Sequence, residues 1–146
     1  MDNLSLVQAP PEPDEYIRLR AQAGWGTIDA AVAGRTLEAA VWSVCLRDVA
    51  DRLVGTARVM GDGLLYFFLC DLVVDPSFRG GGLGERLMAE VAAYFDREAR
   101  PGSTIILIPL AGSEGFYERF GFVRTPDGPF GQGMHYSRAP APTNGP

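Results

Sequence analysis

The chain has no lysine: all thirteen of its basic residues are arginine, so the Gly-Lys-Ser/Thr that a nucleotide-binding P-loop needs is absent, and no glycine cluster matches the Gly-x-Gly-x-x-Gly of a dinucleotide fold. It has a single histidine, His135, and two cysteines, Cys45 and Cys70, in 146 residues. No Cys/His spacing suited to zinc, no EF-hand loop and no Ser/His/Asp order is present, so the sequence supports no metal and no serine-hydrolase chemistry. Both cysteines stand in apolar, strand-like contexts, where a free thiol behaves as a small buried hydrophobe, and a disulfide framework is not expected. Basic runs are missing too. A net charge of −5 with both signs scattered argues against nucleic acid or an anionic membrane as the main partner. No stretch of about 20 apolar residues could cross a bilayer, and the start, Met1-Asp2-Asn3 and then a Pro/Glu-rich stretch, lacks the basic and apolar regions of a leader. The expectation is a cytoplasmic protein. At this length one domain is the default, and folding hides roughly 68–70% of the extended chain's surface, enough for a core without staples.

What is present is a strand that runs into an Arg- and Gly-rich turn and then a helix. Leu64 to Val74 is an apolar, aromatic and β-branched run interrupted only by Cys70 and Asp71, a pattern that suits a strand covered on both faces. Asp75-Pro76-Ser77 ends it. Beyond Arg79-Gly80-Gly81-Gly82-Leu83-Gly84, the residues Leu83, Leu87, Val91 and Phe95 recur every four positions, so Gly84 to about Arg100 reads as an amphipathic helix with its N-terminus at the glycines. First-turn amides have no intrahelical partners, the macrodipole is positive there, and glycines let a ligand approach the backbone. An anion is expected on them, and in an acidic chain the positive potential must come from Arg79 and the helix end.

Around this unit the sequence predicts a short strand at Leu4–Gln8, a helix from about Asp14 to Ala23, a short helix at Ile28–Ala33, and strands at Val41–Leu46 and Leu53–Met60. Gly61-Asp62-Gly63 reads as a hairpin turn. Thr104–Leu110 is expected to be a strand parallel to Leu64–Val74, because a helix intervenes. A helix at Ser113–Phe120 and strands at Phe122–Arg124 and Met134–Ser137 would finish the sheet. Antiparallel strands thus precede a βαβ unit, giving an α/β fold: a mixed, mostly antiparallel sheet with helices on both faces. The folded domain is expected over 1–138, with 139–146 a disordered tail.

Arg79-x-x-Gly82-x-Gly84, placed after Val73-Val74-Asp75-Pro76 and before a helix, resembles motif A of the GNAT superfamily of N-acetyltransferases. Downstream, Phe116-Tyr117-Glu118-Arg119-Phe120-Gly121-Phe122 resembles the family's Phe-Tyr-x-x-x-Gly-Phe element. The two matches span roughly Leu64 to Tyr136, about half the chain, and Gly133-Met134 together with Asp71-x-Val73-Val74-Asp75-Pro76 resemble the small-amine and amino-sugar branches. One departure is Ile108-Pro109-Leu110-Ala111, where many relatives carry a cofactor-binding Asn; cofactor contacts from that loop are not expected.

The resemblance implies acetyl-CoA as co-substrate and direct transfer of its acetyl group to the amine of a small acceptor. It places the diphosphate on Arg79, Gly80, Gly82, Leu83 and Gly84, and the thioester arm along the backbone of Leu72, Val73 and Val74. The Val74 N–H becomes the oxyanion donor. An amine with a pKa near 10 must lose a proton, and the departing thiolate, pKa about 8.5, is helped by gaining one. Tyr117 is the candidate acid, against the alternative of a core aromatic beside Phe116 and Phe120. Asp71 is the candidate base, or the group that orders a water acting as base; a carboxylate in an apolar strand is costly unless it is paired or lines a cavity, and its alternative is an ion pair with an arginine such as Arg58. His135 and Glu114 stand behind it. Trp25, Trp42, Tyr66, Phe67 and Phe68 are aromatics that either wall an acceptor pocket or belong to the core. Two other functions stay open: a non-catalytic acyl-CoA-binding module and acetylation of a protein N-terminus or lysine. A homodimer is left open as well.

Overall fold

Apolar alternation in neighbouring segments builds the sheet. In the computed structural model, which describes residues 3–136, β1 (Ser5–Val7), β2 (Trp42–Arg47), β3 (Leu53–Gly61), β4 (Tyr66–Val74) and β5 (Thr104–Leu107) hydrogen-bond in the order β1-β2-β3-β4-β5. The first three pairings are antiparallel and β4–β5 is parallel. The turn before β4 is held by Asp62, whose Oδ1 accepts from the N–H groups of Leu64, Leu65 and Tyr66 at 2.8, 2.9 and 2.9 Å. Those amides are occupied, so the strand begins at Tyr66 rather than Leu64.

Helix α1 (Pro13–Gln22) begins with a capping box between Glu12 and Glu15 and a proline where the N–H has no partner to lose. With α2 (Ala30–Glu38) it covers one face of the sheet. Leu19, Trp25, Cys45, Leu53 and Val73 form one buried cluster there, and Tyr16, Ala33 and Leu37 another. The opposite face belongs to α3 (Leu83–Glu98), whose stripe of Leu83, Leu87, Met88, Val91 and Phe95 packs on Val44, Leu46, Ala57, Val59, Phe67 and Leu69. Each such buried side chain contributes on the order of 1.5–3 kcal/mol. Helix α4 (Glu114–Glu118) and two 3-10 turns, Pro76–Phe78 and Thr125–Asp127, complete the described elements.

A bulge sets the geometry of everything that follows. Arg58 lies opposite Asp71 but Val59 opposite Leu69, so Cys70 is an extra residue in β4, and an extra residue in a period-two strand inverts which face each later side chain takes. Before the bulge Phe67 and Leu69 face α3; after it Leu72 and Val74 do, and Asp71 and Val73 turn toward α1. Beyond Leu69, β4 has no partner on its β5 side, because β5 ends at Leu107.

Three sequence expectations change. The helix expected at Ile28–Ala33 starts later and runs on to Glu38, because Asp29 Oδ2 accepts from the N–H groups of Ala31 and Val32 and Leu37 is buried beside Tyr16, a packing gain that outweighs Gly34. The strand expected to reach Leu110 stops at Leu107, two residues before a proline that offers no N–H. Phe122–Arg124 is not a strand: the Phe122 N–H donates to Tyr117 O at 3.3 Å, closing the turn after α4, and Arg124 caps a 3-10 turn. Met134–Tyr136 forms no strand either, with Met134 and Tyr136 at 92% and 87% exposure. Ser137 and the expected tail lie outside the described residues.

Candidate active site

Where β4 and β5 part, a cleft of about 580 Å³ opens along the second half of β4, from Trp25 and Asp71 at one end to Arg79 and the glycines at the other, with Tyr117 across it. Strand amides alternate sides, and the Asp75 N–H donates to Val54 O at 2.8 Å on the β3 side. The N–H groups of Leu72 and Val74 therefore point the other way, into the unpaired gap.

The glycine end is an anion cradle. Gly80 and Gly82 have φ of +85° and +76°, a left-handed conformation that only glycine takes without strain, and a side chain added at Gly80 would meet nothing within 4 Å. Gly82 caps α3, so the amides of its first turn face the cleft without intrahelical partners. Asp75 fixes the approach: its Oδ1 accepts from the N–H and Oγ of Ser77 at 2.9 and 2.8 Å, and its Oδ2 lies 3.3 Å from Arg52 Nη2. Arg79 is exposed and makes no ion pair among the described residues. Gly84 serves a different purpose: the Phe116 ring lies 3.5 Å from where its Cβ would be, so α4 rests on the first turn of α3.

Tyr117 reaches the cleft from α4, its ring edge-on to Phe116 and Phe122 with centroids 5.0 and 6.2 Å apart. Burial pushes its phenol above the ordinary value of 10.0, so it holds its proton throughout the neutral range. Asp71, 2% exposed, sits in a cluster that only the α1 face of the sheet could assemble. Its Oδ2 accepts from Arg58 Nε at 2.8 Å and from the Tyr16 hydroxyl at 2.5 Å. Its Oδ1 has no hydrogen-bond partner; Arg20 Nη1 is 3.9 Å away, and Arg20 Nε is likewise unpartnered. The Tyr16 phenol is pushed up to about 12 by burial and by the Asp71 charge, which keeps it a donor. The Arg20 guanidinium lies 5.6 Å from the centroids of both Tyr16 and Trp25, linking the cluster to the aromatic wall of the cleft.

The cleft brings together Asp71, Leu72, Val74, Arg79, Gly80, Gly82, Leu83, Gly84 and Tyr117. It leaves out Val73, which the bulge turns toward Leu19 and Cys45. The Asp71–Arg58 ion pair is present alongside the open Oδ1, so both readings of that carboxylate have a structural counterpart. Of the aromatics only Trp25 lines the cleft; Trp42 stacks on Tyr94 with centroids 4.7 Å apart, and Phe67 is core. Ile108 and Leu110 enter as apolar lining. Sequence reasoning missed Tyr16 and Arg20, which lie 55 and 51 positions from Asp71 and carry no local signal. It missed Cys70 as lining as well; burial and Asp71 push that thiol up to about 11, so it is an uncharged wall and not a nucleophile.

Comparison with known proteins places this geometry. Residues 38–124 match the family described as the acetyltransferase (GNAT) domain. The chain is 37% identical over 89 residues to the chloroplastic serotonin N-acetyltransferase 2 of rice, an alignment covering 61% of this chain and 44% of that protein. It therefore spans less than half the length of this relative. A crystal structure of a Staphylococcus aureus protein of unknown function, described as a probable acetyltransferase, superposes with a TM-score of 0.83 at 29% identity, covering 92% of this chain and 99% of that one. A GNAT-family N-acetyltransferase of Escherichia coli in complex with CoA has the same fold, with a TM-score of 0.64 at 18% identity, covering 86% and 71%.

Proposed function

Because the chain belongs to the GNAT acetyltransferase family, we propose that it transfers the acetyl group of acetyl-CoA to the amine of a small-molecule acceptor by direct attack on the thioester. The observation that carries this reading is one continuous cleft that joins an anion cradle, a free Val74 amide and a buried tyrosine. The fit to the cofactor is specific: two glycines in left-handed conformation open the cradle to phosphate, and the gap beyond β5 leaves main-chain groups for an extended arm. Acetyl-CoA supplies the activated acyl group.

The chain supplies the rest. Arg79 and the amides around Gly80, Gly82, Leu83 and Gly84 hold the diphosphate. The main chain of Leu72 to Val74 lies alongside the pantetheine arm, and the Val74 N–H donates to the carbonyl oxygen as negative charge builds on it. The Tyr117 hydroxyl, neutral and across the cleft, gives its proton to the departing sulfur. Asp71 acts at one remove: Oδ2 is committed to Arg58 and Tyr16, and Oδ1 orders the water that takes the proton from the amine. Trp25 and the apolar Ile108 and Leu110 shape the acceptor end.

The test is calorimetry with acetyl-CoA, followed by CoA thiol release in the presence of arylalkylamines, polyamines, amino sugars and aminoglycosides. Binding with amine-dependent thiol release is the expected result. Binding without release on any amine or on peptide N-termini and lysines makes the chain an acyl-CoA-binding module, and no binding removes the reading. The expected compartment is the cytoplasm, whereas the rice relative is chloroplastic by name; fractionation of the source cells decides.

A further inference from the structure

The anion cradle already holds an anion of the protein's own. Glu85 is the third residue of α3, and its carboxylate bonds back to its own main-chain N–H, one of the first-turn amides. Its Oε2 stands 4.0 Å from where a Cβ on Gly82 would be, directly over the glycine that opens the cradle. Its Oε1 accepts from Arg119 Nη2 at 3.1 Å. Arg119 comes from the end of α4, and its guanidinium carbon lies 5.2 Å from the centroid of the Phe116 ring that covers Gly84. A carboxylate and a guanidinium from two different helices therefore meet at the place where the family's cofactor would put its diphosphate.

Resting on the cofactor reading above, we propose that Glu85 is an internal placeholder for the diphosphate of CoA and that Arg119 is a further cofactor-binding residue, which passes from Glu85 to the diphosphate on binding. The physics is an exchange of like for like. A helix N-terminus and a nearby arginine stabilise whichever anion occupies them, and two anions cannot share them without repulsion. With both side chains about half exposed, at 46% and 59%, the carboxylate is free to swing to solvent. Its displacement takes away part of the affinity that the bare cradle would give, for acetyl-CoA and for the product CoA alike. Glu85 thereby favours product release. The chain's net charge of −5 makes a second cation at the cradle important, since Arg79 is otherwise alone.

The experiment is calorimetry of the full chain and of Glu85→Gln and Arg119→Gln with CoA, 3′-dephospho-CoA and acetyl-pantetheine, which has no phosphate. Both positions are exposed, and thermal melts check that the variants fold. Removing an end-of-helix carboxylate and its repulsion corresponds to roughly a three- to tenfold effect, so Glu85→Gln is expected to bind CoA and 3′-dephospho-CoA tighter by about that factor, with acetyl-pantetheine unchanged. Arg119→Gln is expected to weaken both nucleotides by a similar factor. An unchanged CoA affinity in Glu85→Gln overturns the proposal while leaving the cofactor reading intact. So does an equal gain for acetyl-pantetheine, or a gain lost with 3′-dephospho-CoA, which would assign the pair to the 3′-phosphate. Failure of both wild type and Glu85→Gln to bind CoA overturns both readings.

Discussion

Tyr117 and Asp71 face the same cleft with opposite constraints. Tyr117 has no charged neighbour and is held neutral by burial. Tyr117→Phe is expected to lower kcat by about 10²–10⁴ with acetyl-CoA affinity nearly unchanged, the signature of a lost general acid; turnover within about twofold of wild type would make it a packing residue. Because its pKa is raised above 10.0, the acid form persists through neutral pH, and the rate profile should show no loss from this group until the pH exceeds that value. Asp71 is fastened to Arg58 and Tyr16. Asp71→Asn keeps the shape but leaves Arg58 buried without its counter-ion, and breaking such a pair typically costs about 3–5 kcal/mol. Urea unfolding is expected to show the loss. Turnover measured where the variant is still folded separates the two roles: an unchanged rate assigns Asp71 to the fold alone.

At the level of elements, α3 and its glycine entry carry different demands at neighbouring positions. Gly82 is needed for its left-handed φ, Gly84 for closeness to Phe116. Gly82→Ala is expected to destabilise by about 1–3 kcal/mol, whereas Gly84→Ala meets Phe116 at an ordinary contact distance and should leave stability nearly unchanged. Gly84→Glu, which adds charge and bulk to the cradle, should weaken acetyl-CoA tenfold or more, about 1.4 kcal/mol. Melting curves and calorimetry on the three variants check each. Elements whose signal is local were legible: the four-residue spacing of Leu83 to Phe95 gave α3, and the alternation in Leu53–Met60 gave β3. The strands expected at Phe122–Arg124 and Met134–Ser137 were read from residue type alone, and the Phe122 amide was instead used to close α4. The extent of α2 depended on Leu37 finding Tyr16. In the site, Gly80, Gly82 and Arg79 were legible because spacing alone defines a cradle. The Tyr16–Arg20–Arg58 setting of Asp71 was not, because it is created by α1 packing on a distant strand.

Across the whole molecule, α1 is anchored to the sheet by Glu15 and Arg47, bonded at 3.0 and 2.6 Å through both carboxylate oxygens. The Arg47 hydrogen bonds hold the Glu15 carboxyl below its ordinary 4.5. A group with a depressed folded-state pKa adds stability that is present above its unfolded value and is lost as the pH falls through the folded one. The stability gap between wild type and Glu15→Gln is thus expected to be full near neutral pH, to shrink below about 4.5, and to close in stronger acid; a gap unchanged by acidification would show that the pair contributes through packing and not charge. Melting both proteins across that range gives the answer. Since α1 also carries Tyr16 and Arg20, loosening this anchor should reach Asp71.

The extra residue at Cys70 has a consequence for which sequences could share this site by descent. Deleting any residue between Leu69 and Leu72 would restore a regular ladder with β3, so the chain would still have a strand here, yet the parity of every position after it would be reversed. A carboxylate would enter the hydrocarbon layer beneath α3, and the amides that now open into the cleft would be sealed against β3. The length of β4 is therefore quantised: losses or gains of one residue are barred here, while the turn at Gly61–Leu65, held by a single aspartate side chain, lies outside the phase-sensitive segment and is where length variation among homologous chains should collect.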